Sequence, residues 1–312
     1  MSKQATRDAY GLALVELGKE NENVVVLDAD LSKSTKTCNF KEAYPERFFN
    51  MGIAEQNLLG TAAGLAASGK IPFASSFAVF AVGRAYDQIR NSIAYPKLNV
   101  KIAATHAGIT VGEDGGSHQM IEDIALMRAL PNMTVIVPAD GVETRAAILA
   151  AAEYKGPVYI RLGRSKVETI FDENYKFRLG KGVVVKDGTD VTLIACGIMV
   201  EVALRAAELL AADNISAAVV NISTIKPIDA ALIAKMAEQT GAVVTCEEHN
   251  IIGGLASAVA EVLVEKYPVP MERVGVEDKF GQSGLPDELL KAYGLTAEHI
   301  AEKAKAAIAR KA

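Results

Sequence analysis

Short apolar runs alternate with longer segments of helical periodicity along almost the whole chain. A continuous apolar run bounded by turn residues is typical of a buried strand, and apolar positions spaced three and four apart are typical of a helix packed on a sheet. The strand-like runs are VVVLDAD, IPFASSF, VKIAATH, TVIVPAD, PVYIRLG, VTLIACG, AAVVNIS and GAVVTCEEH. This alternation predicts an α/β fold with parallel sheets covered by helices.

The alternation is interrupted once, by a polar stretch that begins at RSKVETIFDENYK. We interpret residues 166–187 as a linker between two α/β domains, which cover residues 1–165 and 188–312. A chain of 312 residues exceeds the size at which a single core usually keeps growing, which agrees with two domains. The last segment, TAEHIAEKAKAAIARKA, predicts a charged surface helix with Thr296 as its N-cap.

Composition narrows the classes of partner. Hydrophobic residues make up 50% of the chain, and the formal net charge is -5. Without a basic bias, neither nucleic acid nor an anionic membrane surface is an expected partner, which leaves small molecules and proteins. The apolar runs are too short to span a bilayer and the N-terminus lacks an apolar signal core, so we expect a cytoplasmic protein. The widely spaced cysteines Cys38, Cys196 and Cys246 are expected to be reduced.

Unusual residues follow several of the predicted strands. In open α/β sheets ligands collect beyond the carboxyl ends of the strands, so these positions are candidates for a binding site. Asp28, Asp30, Ser32 and Ser34 follow VVVLDAD and either form a turn or line a pocket. Glu55 in GIAEQN falls at a predicted helix start, where it either interacts with the free backbone N–H groups or holds a ligand nitrogen. The residues alone leave these alternatives open.

Aromatic and cationic residues follow two further strands. Phe77 and Phe80 are three residues apart in SSFAVF, which places both on one face of a helix. Such a pair is ordinarily part of the core, and next to a pocket it also suits stacking on a heteroaromatic ligand. Arg161 and Arg164 in YIRLGRS are either surface cations or a fork for a phosphate.

Histidines and carboxylates are concentrated in THAGITVGEDGGSHQ, which contains His106, Glu113, Asp114 and His118. No HExxH or comparable ligand spacing occurs, so zinc is not favoured and we assign no metal ligand. We name GEDGGSHQ, residues 112–119, the glycine-rich loop. Its glycines permit backbone conformations that bring the loop close to a ligand. Histidines in such a loop can donate to substrate hydroxyls and exchange protons near neutral pH.

The order of the motifs GIAEQN, SFAVF, THAGITVGEDGGSHQ and IRLGRS resembles the transketolase family of thiamine-diphosphate enzymes. The resemblance extends over almost the whole chain and covers the pyrimidine-binding domain and the C-terminal domain of that family. It implies that Glu55 is the catalytic glutamate that hydrogen-bonds the aminopyrimidine of the cofactor. It also implies that Phe80 stacks on the pyrimidine, with Phe77 beside it.

The same resemblance implies a set of substrate-binding residues. His106 matches a histidine near the phosphate end of the sugar, and Asp114 matches an aspartate that reads the configuration of the C2 hydroxyl. His118 matches a catalytic histidine at the reacting hydroxyl or carbonyl. The remaining phosphate contacts match Arg7, Ser34 and Arg164.

Some positions differ from the family pattern. The transketolase loop commonly reads GEDGPTH, whereas this chain has GEDGGSH, and Gly83 falls where full-length enzymes often carry a tyrosine near the pyrimidine. Arg84 in RAYDQ resembles an active-site arginine of the related deoxyxylulose phosphate synthases. The segment EEHNIIGGLASAVAE also resembles 2-oxoacid dehydrogenase E1 β subunits, and we assign His249 within it no catalytic role.

The other domain of the family binds the diphosphate and Mg²⁺ through a GDG motif, and the sequence contains no GDG. The resemblance therefore implies the C-terminal subunit of a split transketolase. A separate N-terminal subunit would supply the diphosphate and Mg²⁺ site in an α2β2 assembly. The expected reaction transfers a two-carbon ketol unit from a ketose phosphate to an aldose phosphate. Two alternatives remain: an E1 β subunit of a 2-oxoacid dehydrogenase, and a non-catalytic regulatory subunit.

Overall fold

The computed structural model describes residues 3–311, which form two α/β units built around three sheets. The strands are β1 (Lys3–Ala5), β2 (Val24–Asp28), β3 (Phe48–Asn50), β4 (Ile71–Ser75), β5 (Lys101–Ala104), β6 (Thr134–Ile136), β7 (Val158–Arg161), β8 (Lys166–Glu168), β9 (Val183–Lys186), β10 (Val191–Ala195), β11 (Ala217–Asn221), β12 (Thr224–Lys226), β13 (Val243–Asn250) and β14 (Met271–Val276). The helices are α1 (Thr6–Glu20), α2 (Ser32–Thr35), α3 (Cys38–Ala43), α4 (Glu55–Ala67), α5 (Ala78–Asp87), α6 (Asp123–Ala129), α7 (Gly141–Glu153), α8 (Met199–Ala212), α9 (Ala230–Thr240), α10 (Leu255–Lys266), α11 (Pro286–Ala292) and α12 (Ala297–Ile308). A π-helical segment, Gln88–Ala94, continues α5, and 3₁₀ turns lie at Pro45–Arg47 and Ile109–Val111.

The first sheet has seven strands in the order β12-β6-β7-β5-β4-β2-β3. The pairs from β6 to β3 are parallel, and β12 adds an antiparallel edge. Every residue of β2, β5 and β7 is buried, because helices cover both faces of the sheet. The predicted α/β fold with a parallel sheet is confirmed.

The second sheet has five strands in the order β14-β13-β10-β11-β9. Its inner pairs are parallel, and β9 runs antiparallel along one edge. Helices α8 and α12 bury alanines and larger apolar residues on one face. Residues of α9 and α10 belong to an apolar cluster that also contains residues of α4 and α5, so one continuous core joins the two units.

The segment predicted as a linker, residues 166–187, contains two strands that the sequence did not predict. β8 pairs antiparallel with β1, and β9 pairs antiparallel with β11 of the second sheet. β12, from the C-terminal half, pairs with β6 and forms an edge strand of the first sheet. The segment is therefore divided between the two units, and β12 crosses from the C-terminal half into the first sheet. The domain bounds 1–165 and 188–312 stay a prediction.

Two smaller predictions are confirmed. Thr296 is the N-cap of α12, and its side chain accepts a hydrogen bond from the backbone N–H of His299. Cys38, Cys196 and Cys246 are free thiols. None of the helices within residues 3–311 is long and apolar enough to cross a membrane.

Candidate active site

Glu55 is the first residue of α4, the helix that follows the edge strand β3 of the first sheet. Its side chain is only 5% exposed, although it is a carboxylate at a helix terminus. Nη1 of Arg84, on α5, donates a hydrogen bond to its Oε1 at 3.1 Å. A buried carboxylate held from one side by a half-exposed arginine is better suited to binding a ligand nitrogen than to capping a helix alone.

Phe77 immediately precedes α5, and Phe80 lies in its first turn. The two rings stack with centroids 5.7 Å apart and planes inclined by 11°. The imidazole of His106 stacks on Phe77 at 3.7 Å, and that of His118 meets Phe80 edge-on at 5.3 Å. The pair is therefore not only core, because each ring contacts a histidine predicted to bind substrate.

His106 follows β5, and its ring is held from two sides. Nη1 of Arg7 donates to Nε2 of His106 at 3.1 Å, and Nδ1 lies 2.8 Å from the hydroxyl oxygen of Thr105. Because a guanidinium can only donate, Nε2 accepts and the ring proton is on Nδ1. The same Nη1 of Arg7 donates to the carbonyl oxygen of Ser34 at 3.0 Å.

The charge state of His106 is set by its surroundings. Burial, with smaller contributions from the nearby cations Arg7 and Arg164, lowers the pKa of His106 to about 3. The ring is therefore neutral at pH 7. Its role in the free protein is to stack on Phe77 and to orient Arg7.

The glycine-rich loop begins after the 3₁₀ turn Ile109–Val111. Gly112 and Gly115 have φ angles of +88° and +78°, in the left-handed region that favours glycine. Oδ2 of Asp114 accepts a hydrogen bond from Nη1 of Arg164 at 3.3 Å, and Arg164 also donates to the carbonyl oxygen of Val111. Arg164 thus links the end of β7 to the loop that carries the acid.

The predicted substrate-binding residues meet in one cleft of about 480 Å³. Its walls are formed by Arg7, Lys33, Ser34, Phe77, His106, Asp114, His118 and Arg164. Lys33, which the sequence analysis missed, is exposed beside Ser34, and its position in the polar run DLSKST was the only signal for it. A larger crevice of about 660 Å³ lies between α8 and α11 and contains none of the predicted site residues.

A continuous chain of contacts joins the predicted cofactor residues to this cleft. Arg84 binds Glu55 and lies 4.2 Å over the ring of Phe80. Phe80 stacks on Phe77, Phe77 stacks on His106, and His106 accepts from Arg7. Glu55 and the cationic cleft therefore belong to one site at the carboxyl ends of the strands, where open α/β sheets bind ligands.

Two sequence expectations are resolved differently. Arg161 is neither a surface cation nor part of the cleft, because it is buried under the domain contact. Its Nε donates to Oδ2 of Asp123 at 2.8 Å, and its Nη2 donates to the carbonyl oxygens of Met120 and Glu248 at 3.2 and 2.9 Å. The guanidinium of Arg161 therefore binds groups inside the protein and joins the two α/β units.

Asp28 forms a turn and does not line a pocket. Its Oδ1 accepts from the backbone N–H of Leu31 at 2.6 Å, and its Oδ2 accepts from the hydroxyls of Thr35 and Thr37 at 2.6 and 2.9 Å. The turn fixes α2, whose residue Ser34 presents its carbonyl to Arg7. Of the two roles considered for Asp28, the structure shows the turn. Asp28 affects the cleft only by fixing the helix that carries Ser34.

The residues present fit the aminopyrimidine of thiamine diphosphate. The buried carboxylate of Glu55 suits a ring nitrogen, and the partly exposed face of Phe80 suits an aromatic ring. Arg84 spans both groups, so the two lie within the reach of one ligand ring. Within residues 3–311, no group of three His, Cys, Asp or Glu residues is placed to hold a metal ion.

Comparisons with known proteins identify two domains in the chain. Residues 2–169 match the transketolase pyrimidine-binding domain, and residues 180–300 match the transketolase C-terminal domain. Together these matches define the chain as a pyrimidine-binding and C-terminal domain pair of the thiamine-diphosphate type. The chain belongs to the transketolase family.

Relatives with the same two domains are similar from end to end. A Methanocaldococcus jannaschii protein, provisionally named a transketolase C-terminal section, is 57% identical over 300 residues, 95% of this chain and 94% of that protein. A 6-deoxy-6-sulfo-D-fructose transketolase subunit of Clostridium sp. is 47% identical over 305 residues, 98% of this chain and 95% of that subunit. A solved structure, a split gene transketolase described as an inactive β4 tetramer, is 61% identical with a TM-score of 0.93 over 99% of both chains.

Proposed function

We propose that this chain is the C-terminal subunit of a two-component transketolase that depends on thiamine diphosphate. The assembled enzyme transfers a two-carbon ketol unit from a ketose phosphate to an aldose phosphate. The observation that carries the proposal is the contact chain from Glu55 through Phe80 and Phe77 to His106 and Arg7. The similarity to subunits of split transketolases supports the two-component assembly.

Cofactor binding is assigned to three residues of this chain. Glu55 donates or accepts a proton at the pyrimidine nitrogen, and its burial keeps water from competing for that hydrogen bond. Phe80 stacks on the pyrimidine, and Phe77 supports Phe80 from behind. Thiamine diphosphate, when bound, supplies a carbon nucleophile and an electron sink for breaking the C2–C3 bond of the sugar.

The cleft binds the phosphorylated sugar. Arg7 and Arg164 are cations that line the cleft, and the exposed Lys33 adds a third, so a phosphate is attracted to this end. Binding the phosphate supplies remote binding energy that orients the reacting carbons. His106, neutral and stacked on Phe77, and the carbonyl of Ser34 hold Arg7 in place for this contact.

The reacting end of the sugar lies near the glycine-rich loop. Asp114 accepts a hydrogen bond from the C2 hydroxyl and so distinguishes its configuration. His118, which borders the cleft beside Phe80, donates to or takes a proton from the reacting hydroxyl or carbonyl. These two side chains and the phosphate-binding cations favour a polyhydroxylated phosphosugar over a small 2-oxo acid.

A separate N-terminal subunit completes the site. No GDG motif occurs in this chain, so the diphosphate and Mg²⁺ are assigned to that partner, in a cytoplasmic α2β2 assembly. The chain alone is expected to bind thiamine diphosphate poorly and to show no turnover. A related structure described as an inactive tetramer of β subunits supports this expectation.

Reconstitution tests the reaction. The chain is combined with the N-terminal transketolase subunit from the same cells and assayed with xylulose 5-phosphate and ribose 5-phosphate. Ketol transfer by the pair, and by neither chain alone, is the expected result. Decarboxylation of a 2-oxo acid with transfer to a lipoyl domain, without ketol transfer, would establish the E1 β alternative.

A matched pair of variants separates catalysis from a regulatory role. Glu55→Gln keeps the shape of the side chain but removes the proton exchange, so transfer should fall by about 10²- to 10⁴-fold. Glu42→Gln makes the same chemical change at an exposed position of α3 and should retain full activity. Full activity of the Glu55→Gln assembly would refute the catalytic role and favour a non-catalytic subunit.

A further inference from the structure

The glycine-rich loop packs against a segment of the C-terminal half, residues 280–286. The side-chain nitrogen Nε2 of Gln119, the last residue of the loop, donates to the carbonyl oxygen of Gln282 at 3.0 Å. The same nitrogen donates to the carbonyl oxygens of Ile109 at 3.0 Å and Gly112 at 3.3 Å. One buried amide therefore joins both ends of the loop and fixes them to the 280–286 segment.

Glycines bring the two backbones together at this contact. A Cβ added to Gly281 would overlap the amide oxygen of Gln119, and a Cβ added to Gly116 would lie 2.6 Å from the carbonyl oxygen of Gly281. A Cβ on Gly115 would lie 2.5 Å from Oγ of Ser283. A larger side chain at Gly116 must displace the backbone of the segment, whereas at Gly281 and Gly115 it must displace the side chain of Gln119 or Ser283, since real Cβ atoms do not approach so closely.

A second anchor lies at the entry to the loop. Oε1 of Glu248, at the end of the second sheet, accepts a hydrogen bond from the backbone N–H of Thr110 at 2.7 Å. A Cβ on Gly108 would overlap the Glu248 carboxylate, so this contact also requires a glycine. Both anchors come from the C-terminal half, whereas Asp114 and His118 lie on the loop between them.

We propose that Gln119 and the 280–286 segment are positioning elements that hold Asp114 and His118 against the sugar. The inference rests on the proposed function, which assigns those two side chains to the substrate. Through these contacts the C-terminal half sets the geometry of substrate recognition without touching the substrate. Gln119 is 4% exposed and does not line the cleft, so it acts only through the loop.

Gln119→Met tests this role, because methionine fills a similar volume and donates no hydrogen bond. In the assembled enzyme, kcat/KM for the phosphosugars should fall by about tenfold, since small misplacements of reacting groups are costly. The affinity for thiamine diphosphate, measured by calorimetric titration, should stay unchanged because Glu55 and Phe80 are on other elements. In the isolated full chain, amide hydrogen exchange of residues 112–118 should accelerate by about tenfold.

Gln282→Ala is the matched control. Its side chain is exposed, and the carbonyl that accepts from Gln119 is retained. Both the exchange rate and kcat/KM should therefore match the wild-type values. A Gln282→Ala variant as impaired as Gln119→Met would overturn the assignment to the Gln119 amide.

Gly281→Ala alone should accelerate exchange of residues 112–118 and lower kcat/KM as Gln119→Met does, so it tests the same contact if Gln119→Met folds poorly. Where both variants fold, their combination tests the coupling. The new methyl group displaces the amide of Gln119, so adding Gln119→Met to Gly281→Ala should change kcat/KM by less than twofold. Additive losses in this double-mutant cycle would contradict a direct coupling. Circular dichroism of each variant verifies that the fold is kept.

The two readouts separate this inference from the proposed function. Hydrogen exchange needs neither partner nor turnover, so unchanged exchange in Gln119→Met overturns the anchoring even if ketol transfer is found. Faster exchange with unchanged kcat/KM in an active assembly overturns the link to substrate positioning. Faster exchange together with an assembly that transfers no ketol unit supports the anchoring and rejects the proposed function instead.

Discussion

Nη1 of Arg84 donates to Oε1 of Glu55 at 3.1 Å, while the guanidinium of Arg84 lies 4.2 Å over the ring of Phe80. One arginine thus contacts both groups that we assign to the pyrimidine. We expect a cofactor ring that takes the carboxylate of Glu55 and the face of Phe80 to displace it. Arg84 would then compete with the cofactor in the free subunit, and its half-exposed side chain can move aside into solvent.

Replacing Arg84 by methionine should strengthen cofactor binding. Removing the competing ion pair frees Glu55, and pairs of this exposure contribute so little that the gain in affinity should be about two- to fivefold. Calorimetric titration of the assembled enzyme with thiamine diphosphate measures this change.

Arg90→Met is the control for this experiment. Arg90 is exposed on the π-helical continuation of α5 and donates only to the neighbouring Asn91 among the described residues. Its removal changes the net charge equally and should leave the affinity unchanged. Weaker binding in Arg84→Met, with Arg90→Met unaffected, would show that Arg84 assists the cofactor and does not compete with it.

Arg161→Met should destabilise the fold strongly. Arg161 is the buried ionic partner of Asp123, and its loss leaves that carboxylate without a cation, with only the hydroxyl of Tyr159 as a donor. The carbonyl oxygens of Met120 and Glu248 also lose the hydrogen bonds that Arg161 donates between the α/β units. Breaking one side of a buried pair typically costs about 3–5 kcal/mol of unfolding free energy. Equilibrium unfolding in urea measures the loss.

Arg205→Met provides the comparison. Arg205 forms an exposed pair with Glu201 on α8, and such pairs contribute about 1 kcal/mol or less. Equal unfolding free energies of Arg161→Met and Arg205→Met would mean that the buried hydrogen bonds of Arg161 do not hold the two units together.

The strands that the sequence predicts correctly are those whose apolar residues are buried on both faces. β2 and β4 are such strands, because burial alone gives them a continuous apolar run. β1, β8 and β12 are three residues each, and they exist only because a distant strand offers an edge: β1 pairs with β8 across more than 160 residues. Such pairing depends on tertiary contacts and cannot be predicted from the local sequence.

The same distinction applies to the site. The resemblance of the motifs to the transketolase family predicts roles for Glu55, Phe80, His106 and Asp114, and the contact chain and the cleft bring these residues together. Arg161 was misread because its partner, Asp123, is 38 residues away and only the fold shows that both are buried. The neutrality of His106 likewise depends on its burial and on cations from other elements, which no spacing in the sequence reveals.

Acid should destabilise the protein through His249. This residue is fully buried, its Nδ1 donates to the carbonyl oxygen of Asn250, and its Nε2 accepts from the N–H of Ala125. Burial lowers its pKa from 6.5 to about 4. Between these values the unfolded chain binds a proton that the native chain does not. The unfolding free energy therefore decreases as the pH is lowered from 6.5 to 4, by up to about 3 kcal/mol.

His249→Gln isolates this contribution, since glutamine keeps an acceptor and does not titrate near these pH values. Urea unfolding of both proteins at pH 7, 6, 5 and 4 should give a shallower decline for the variant. Glu247, whose pKa burial raises to about 7, acts with the opposite sign and is present in both proteins. Because its Oε2 lies 3.7 Å from Nδ1 of His249, the difference between the two profiles reports His249 together with this contact. Parallel pH profiles would show that His249 is not the group responsible.

Arg7→Lys tests the phosphate end of the cleft. Lysine keeps the positive charge but cannot bridge the carbonyl of Ser34 and the imidazole of His106 as the guanidinium does, so the cation loses its fixed position. KM for a phosphorylated acceptor should rise by about tenfold, the scale of one hydrogen bond to a charged group, while kcat changes little. Steady-state kinetics of the assembled enzyme with ribose 5-phosphate and with ribose separates the two effects, because the unphosphorylated sugar has no group for Arg7 to bind. An equal rise in KM for both sugars would place Arg7 away from the phosphate and would assign it a role in holding His106 alone.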